Sequence, residues 1–134
     1  MQLDIVKKYG RRLKPSTIKQ RKEVNNMNYV YLITNGCGDY KVGFTRNIEK
    51  RLAHYQAHNP RTELISFCKV QTKTKMQLET SLHTEIENMG YAFIKTLFNS
   101  DTEWFTPSEE LANQLETDGL KVFDSCKNRI VYYA

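Results

Sequence analysis

The chain has 134 residues and a mass of 15.7 kDa, which is the size of one ordinary domain. Hydrophobic residues make up 40% and charged residues 26%, and these fractions exclude a disordered chain and a collagen-like one. The longest apolar run, 29–33, is too short to cross a bilayer, and the first residues contain no apolar signal region, so we expect no membrane partner. The three cysteines include no C-x-x-C pair, which argues against a disulfide or zinc framework. We therefore expect a cytoplasmic protein with reduced thiols.

The positive charge is concentrated in an amino-terminal arm. The chain carries 20 Lys and Arg against 15 Asp and Glu, and residues 1–23 alone account for a net charge of +6. Basic arms of this kind bind polyanions, most often nucleic acid, although a solvated helix or an unstructured leader has the same composition. The basic side chains that we assign to nucleic-acid binding are Lys7, Lys8, Arg11, Arg12, Lys14, Lys19, Arg21 and Lys22.

After the arm, short apolar segments alternate with turns. Two glycines in the first turn predict a hairpin, and a capping box at Thr106 and Glu109, with Pro107 at the first helical position, predicts the start of the last helix. The segments 120–123 and 129–133 are predicted to be extended. In chain order the other predicted elements are strands over 29–34, 40–44 and 63–71, helices over 46–58 and 73–89, an extended piece over 103–105 and a helix ending near 117.

This order of elements predicts an α+β domain. We expect a small, mostly antiparallel three-stranded central sheet flanked by helices. We assign residues 1–27 to the basic arm, 28–117 to the domain and 118–134 to a C-terminal extension packed on the domain.

The helix predicted over 73–89 places a carboxylate among apolar residues. At about 100° per residue, Glu79 falls within an apolar arc formed by Leu78, Met89, Leu82, Ile86 and Met76, and His83 follows one turn later. A carboxylate in such a position is costly unless a metal, an arginine or a hydrogen-bond network pairs with it. The alternatives are a salt-bridged Glu79 at the rim of the core and a hydrogen-bonded structural histidine at His83.

Three further residues are suited to phosphate chemistry. In the helix over 46–58, the buried side is defined by Ile48, Leu52 and Tyr55. Arg51 flanks that side, where it can donate two parallel hydrogen bonds to a phosphate or cover the core with its stem. Tyr31 and Lys41 lie on the two strands of the hairpin. Such a pair serves phosphate binding or forms an ordinary cross-strand contact.

Taken in order over about 28–111, these residues resemble the motifs of the GIY-YIG nuclease superfamily, in its divergent phage and viral branch. The first motif is Tyr29-Val30-Tyr31, and the second is Lys41-Val42-Gly43 followed by Thr45. Arg51 matches the arginine of the next helix, and Glu79 matches the glutamate of the later helix. His83 completes an E-x-x-x-H pattern, and Glu103-Trp104-Phe105 matches a terminal E-W-F.

The resemblance implies a divalent-metal-dependent endonuclease that hydrolyses phosphodiester bonds in nucleic acid, chiefly DNA, with little sequence preference. It implies Mg²⁺ or Mn²⁺ held by Glu79, with Arg51 on the phosphate oxygens and Tyr31, Lys41 and His83 as further catalytic groups. Trp104 either stacks near the substrate or packs between the last helix and the sheet and so fixes the helix in place. If the protein belongs to a virus of a eukaryote, we expect it in the nucleus or in a viral factory instead of the cytoplasm.

The same sequence leaves other functions open. Lys41 stands where better-studied members have a tyrosine that helps to activate the nucleophile, so a weak or inactive nucleic-acid-binding module of the same fold is the main alternative. Lys41 acts as a base only if burial lowers its pKa. A phosphodiesterase acting on a small nucleotide would need a closed pocket. A viral interaction or inhibitor protein would instead expose an aromatic patch, for which the candidates are Tyr91, Phe93, Phe98, Tyr132 and Tyr133.

Overall fold

The computed structural model describes residues 27–98 and 102–134, so the basic residues assigned to the arm lie outside the described residues. Single turns of 3-10 helix occur at Thr72–Thr74, Gly119–Val122 and Asp124–Cys126. Each helix in these two ranges is too short or too polar to span a membrane. The other elements in chain order are β1 (Met27–Thr34), β2 (Tyr40–Thr45), α1 (Ile48–His58), β3 (Glu63–Gln71), α2 (Lys75–Asn88), β4 (Trp104–Phe105), α3 (Glu109–Asp118) and β5 (Val131–Tyr133).

The expected three-stranded sheet is wrong, because the described residues form a five-stranded sheet in the order β4-β2-β1-β3-β5. The α+β class is confirmed, and each of the four pairings is antiparallel. The three inner strands are the ones expected from the sequence. The two outer strands are only two and three residues long. Segments this short carry too little alternation to reveal their partners, and they pair because tertiary contacts hold them against β2 and β3.

The central strand β1 is buried on both faces, which makes the molecule three layers thick. Tyr29, Tyr31 and Ile33 face α1, whereas Val30 and Leu32 face α2 and α3. Successive side chains of a strand point to opposite faces, so this alternation follows directly from the sequence. The helices contribute Ile48 and Leu52 from α1, Leu78, Leu82 and Ile86 from α2, and Leu111 and Leu115 from α3.

The buried stripe of α2 is narrower than the sequence indicates. Met76 and Met89 are 77% and 40% exposed, so Leu78, Leu82 and Ile86 alone form the stripe. Glu79 and His83 are both partly buried, at its margin.

The start of α3 and the segment that follows it differ from the sequence predictions. Ser108 caps α3 by accepting the Leu111 N–H at 3.2 Å, so Pro107 precedes the cap rather than opening the helix. The segment 120–123, predicted to be extended, lies largely in the 3-10 turn Gly119–Val122, where the Leu120 N–H donates to the Ser66 hydroxyl at 2.9 Å. The chain then enters the same core as α2 through Phe123 and Cys126.

Gly43 provides the space through which the Tyr31 side chain crosses the hairpin. The register of β1 and β2 places Tyr31 directly opposite Gly43. A Cβ atom at residue 43 would overlap the hydroxyl and Cζ of Tyr31. The Tyr31 ring therefore lies over the backbone of β2, toward the edge where β4 pairs with Tyr40 and Lys41.

We expect Gly43→Ala to lower the free energy of unfolding by about 1–3 kcal/mol, because the added methyl overpacks the space of the Tyr31 ring. Urea denaturation followed by circular dichroism measures this loss. In the double variant with Tyr31→Leu, the shorter side chain accommodates the methyl group, so the two losses should not add. An unchanged stability of Gly43→Ala would contradict the packing described here.

Candidate active site

Two phenol groups meet at the edge of the sheet. The hydroxyls of Tyr31 and Tyr55 are 3.1 Å apart, and the Tyr55 ring packs edge-on against Trp104 with 6.1 Å between centroids. Tyr55 lies on α1, whose first turn is fixed by the Asn47 side chain accepting the Lys50 N–H at 3.0 Å. Arg51 precedes Tyr55 by four residues on this helix, so the two side chains lie on the same side.

The pKa values of the two phenols are shifted in opposite directions. Burial raises the pKa of Tyr31, and the hydrogen bond with Tyr55 raises it further. Burial also acts to raise the pKa of Tyr55, but the Lys41 side chain, the Tyr31 hydroxyl and Arg51 outweigh it and lower the pKa below its ordinary value. Tyr55 is therefore the phenol of the pair that ionises first.

Lys41 links the phenols to a carboxylate. Its Nζ lies 5.2 Å from the centroid of the Tyr55 ring and 3.7 Å from Oε1 of Glu103. The Lys41 side chain is 13% exposed, so its ammonium group is held within the site rather than in open solvent. Its position is that of a fixed positive charge between an aromatic ring and a carboxylate.

Glu79, His83 and Glu103 bring their donor atoms within 4.8 Å of one another. Nε2 of His83 is buried and has no hydrogen-bond partner among the described residues, although Oε2 of Glu103 lies 3.5 Å away. That distance brings the two groups together without the geometry of a hydrogen bond. Two carboxylates and an imidazole nitrogen with an unused lone pair are ligands of divalent cations, so these residues fit such an ion.

Glu103 joins the two faces of the sheet at this edge. Its carboxylate contacts Lys41, which extends from β2 over Tyr55, and also His83, which belongs to α2 on the opposite face. Its φ of 69° makes it the one non-glycine residue with positive φ in the described ranges. Such a backbone costs roughly 1–3 kcal/mol and persists where surrounding contacts enforce it.

Arg51 borders a cleft of about 500 Å³ beside the phenols. The cleft is also lined by Lys50 and His54 from α1 and by Thr45 at the end of β2. Arg51 is exposed here; its charge acts to lower the pKa of Tyr31, and its side-chain hydrogen bond acts to lower the pKa of Tyr55. A guanidinium beside an open cleft can bind phosphate oxygens in a bidentate manner.

The structure brings Tyr31, Lys41, Glu79, His83 and Trp104 to one edge of the sheet, with Arg51 beside them. Tyr55 and Glu103 also lie at the site, although neither was expected there from the sequence. Tyr55 follows Arg51 at a spacing of four on one helix, and Glu103 stands directly before Trp104, so both had a signal in the sequence.

Comparison with known protein families matches residues 28–130 to the T5orf172 domain. The chain belongs to the T5orf172 domain family. No curated protein and no solved structure shows significant similarity to it. The T5orf172 domain is a phage-type, nuclease-associated domain, which indicates a nuclease-related or nucleic-acid-binding role. The match includes the phenols, Lys41, Arg51 and the cluster of Glu79, His83 and Glu103.

In this T5orf172 domain we expect Tyr55 to ionise below the ordinary pH of tyrosine, because Lys41 and Tyr31 favour its phenolate. Tyrosinate absorbance during a pH titration measures this step, and Tyr55→Phe should abolish it. Lys41→Met removes a positive charge that lowers the pKa of Tyr55, so the ionisation of Tyr55 should shift to higher pH.

Tyr91 provides the control for this titration. Hydrogen bonds with Ser108 lower the pKa of Tyr91, which lies outside the site, so Tyr91→Phe should remove a different ionisation and leave the Lys41-dependent one. In the Tyr91→Phe background, a lowered tyrosine ionisation that survives Tyr55→Phe, or one that Lys41→Met leaves unchanged, would refute the assignment.

Proposed function

We propose that this protein is a divalent-metal-dependent endonuclease of the GIY-YIG type. It hydrolyses phosphodiester bonds in nucleic acid, chiefly DNA, with little sequence preference. The observation that carries this proposal is the convergence of the Glu79, His83 and Glu103 donors beside the Tyr31–Tyr55 pair, with Lys41 between them. The T5orf172 family supports the coarser role in nucleic-acid processing.

Glu79 would be the main ligand of the metal, and Glu103 and His83 would supply the other protein ligands. Carboxylates suit Mg²⁺ and Mn²⁺ alike, whereas an imidazole nitrogen favours Mn²⁺ over Mg²⁺. A cation bound there supplies a Lewis acid at the scissile phosphate and stabilises the leaving oxygen.

The phenol pair takes the proton of the attacking water. The lowered pKa of Tyr55 favours its phenolate, to which Tyr31 donates a hydrogen bond. The phenolate accepts the proton as the water oxygen bonds to phosphorus and the bond from phosphorus to the leaving oxygen breaks. The leaving oxygen takes up a proton from solvent, so one new end carries a phosphate monoester and the other a hydroxyl group. Arg51 balances the charge that builds on the non-bridging oxygens.

Lys41 supports this chemistry without acting as the base. Its ammonium group faces the Tyr55 ring and pairs with Glu103, and it is among the groups that lower the pKa of Tyr55. In this scheme Tyr55, contributed by α1, supplies the phenol that the second motif lacks, and Lys41 stabilises its charged form.

A second candidate function is binding of nucleic acid without cleavage. Lys41 in place of tyrosine favours it, and the cleft beside Arg51, with Lys50 and His54, suits phosphate contacts that need no metal. The protein-interaction alternative is weaker. Tyr91 and Phe93 pack against the core and Tyr132 stacks on Phe67, so three of the five candidate rings are engaged in packing. Only Phe98 and Tyr133 are exposed among them, at 91% and 42%.

We expect Glu79→Gln to reduce metal-dependent cleavage about 10³-fold, because a lost ligand removes several kcal/mol of charge stabilisation. Supercoiled plasmid and short single- and double-stranded DNA and RNA are incubated with Mg²⁺, with Mn²⁺ and with EDTA. Glu87→Gln is the matched control, since it makes the same change at an exposed position of the same helix. Full cleavage by Glu79→Gln would refute the assignment, and salt-sensitive binding in EDTA without any cleavage would favour the binding module.

We expect Glu103→Gln and His83→Ala each to weaken Mn²⁺ binding by about 10- to 100-fold. Titration calorimetry with Mn²⁺ alone measures the affinity independently of any reaction. Glu87→Gln again serves as the control and should bind like the unmodified chain. If both variants keep the original affinity, Glu79 acts without them and the three-ligand arrangement is wrong.

A further inference from the structure

A second cavity, of about 370 Å³, is also lined by Tyr55. It is formed by the β1–β2 turn, the end of α1 with the loop that follows it, and β4 with the segment before it. Its walls include the side chains of Tyr55 and Trp104, with Ile94, His58 and Thr62 around them. The volume is within the range of small-molecule pockets in proteins.

The polar groups around this cavity are largely engaged with one another. The Asn59 amide donates to the Asn35 carbonyl at 3.0 Å, and the Asn35 amide donates to the Asp39 carboxylate at 2.8 Å. The Thr102 hydroxyl donates to the Ile94 carbonyl at 2.8 Å. The cavity therefore presents aromatic and apolar surface rather than a pattern of donors and acceptors that could distinguish one ligand from another.

Tyr55 is shared between this cavity and the candidate active site. Its hydroxyl bonds Tyr31, while its ring lies edge-on to Trp104. In a nucleotide, one sugar separates the base from its phosphate. A phosphate held by Arg51 and the phenols therefore has its base within reach of the cavity. A base that is paired and stacked in a duplex cannot enter such a pocket unless it leaves the stack.

We propose that the cavity between Tyr55 and Trp104 takes the unstacked nucleobase next to the phosphate in the active site, so that the substrate is single-stranded or carries an unpaired nucleotide. The inference rests on the proposed function for the position of the phosphate. Aromatic stacking accepts every base, because each base has a π-face. The cavity thus selects the strand state of the substrate and not its sequence.

The chain contains a single tryptophan, Trp104, so fluorescence excited selectively at the indole reports on the surroundings of this ring, which lines the cavity. The full chain is titrated in EDTA with short oligothymidylate, oligouridylate, an abasic strand of equal length and a fully paired hairpin. We expect both base-carrying single strands to quench the fluorescence. The abasic strand and the hairpin should leave it nearly unchanged, even where phosphate contacts bind them.

Variants separate stacking from folding. Measured by anisotropy of a labelled single strand, Trp104→Ala should weaken binding roughly 10- to 100-fold, whereas Trp104→Phe keeps a stacking ring and should retain most of the affinity. Tyr133→Ala removes a partly exposed ring at the opposite edge of the sheet and should change the affinity little. Circular dichroism compares the folding of each variant with that of the unmodified chain.

The outcomes distinguish this inference from the proposed function. Quenching by single strands without any metal-dependent cleavage supports the base cavity and overturns the nuclease. Cleavage of duplex DNA that persists in Trp104→Ala, without quenching by single strands, supports the nuclease and overturns the base cavity. Equal quenching by the abasic strand also overturns it, because the signal would then come from the phosphates.

Discussion

The register of β1 against β2 is the constraint on which the rest of the site depends. It sets Tyr31 opposite Gly43, the residue whose missing side chain lets the tyrosine ring lie over β2. Because β1 is buried on both faces, a shift of one residue would exchange its tyrosines with Val30 and Leu32 between two different cores. Burial of β1 on both faces therefore also fixes the position of the Tyr31 hydroxyl, which contacts the hydroxyl of Tyr55.

The site lies at an edge of the sheet because residues from both faces can meet only there. The phenols belong to the face covered by α1, whereas Glu79 and His83 belong to α2 on the other face. Glu103 connects the two sides through Lys41 and His83, and it adopts a left-handed backbone conformation to do so. Strained backbone of this kind recurs at functional sites, where pairing on several sides holds it in place.

Much of the fold could be predicted from the sequence. The alternation in 29–34 and 63–71 and the helical spacing of Leu78, Leu82 and Ile86 indicated the inner strands and α2, since periodicity is a local property. For the outer strands, the sequence predicted extended segments over 103–105 and 129–133 but not their place in the sheet. β4 and β5 are too short for a pattern, and their pairing depends on contacts with residues far away in the chain. The apolar arc predicted for α2 was too wide, because the sequence alone does not distinguish an exposed methionine such as Met76 from a buried one.

By itself, the sequence determined the residue types from which the site is assembled: Tyr31, Lys41, Arg51, Glu79 and His83, in an order that resembles a known nuclease family. Only the tertiary structure decided which groups accompany them. Tyr55 looked like a core residue of α1, and Glu103 like one letter of a short motif, until the fold placed them against Tyr31 and His83. The physical reason is that distance and burial control metal coordination and the pKa of a phenol, and both arise only when elements remote in the chain pack together.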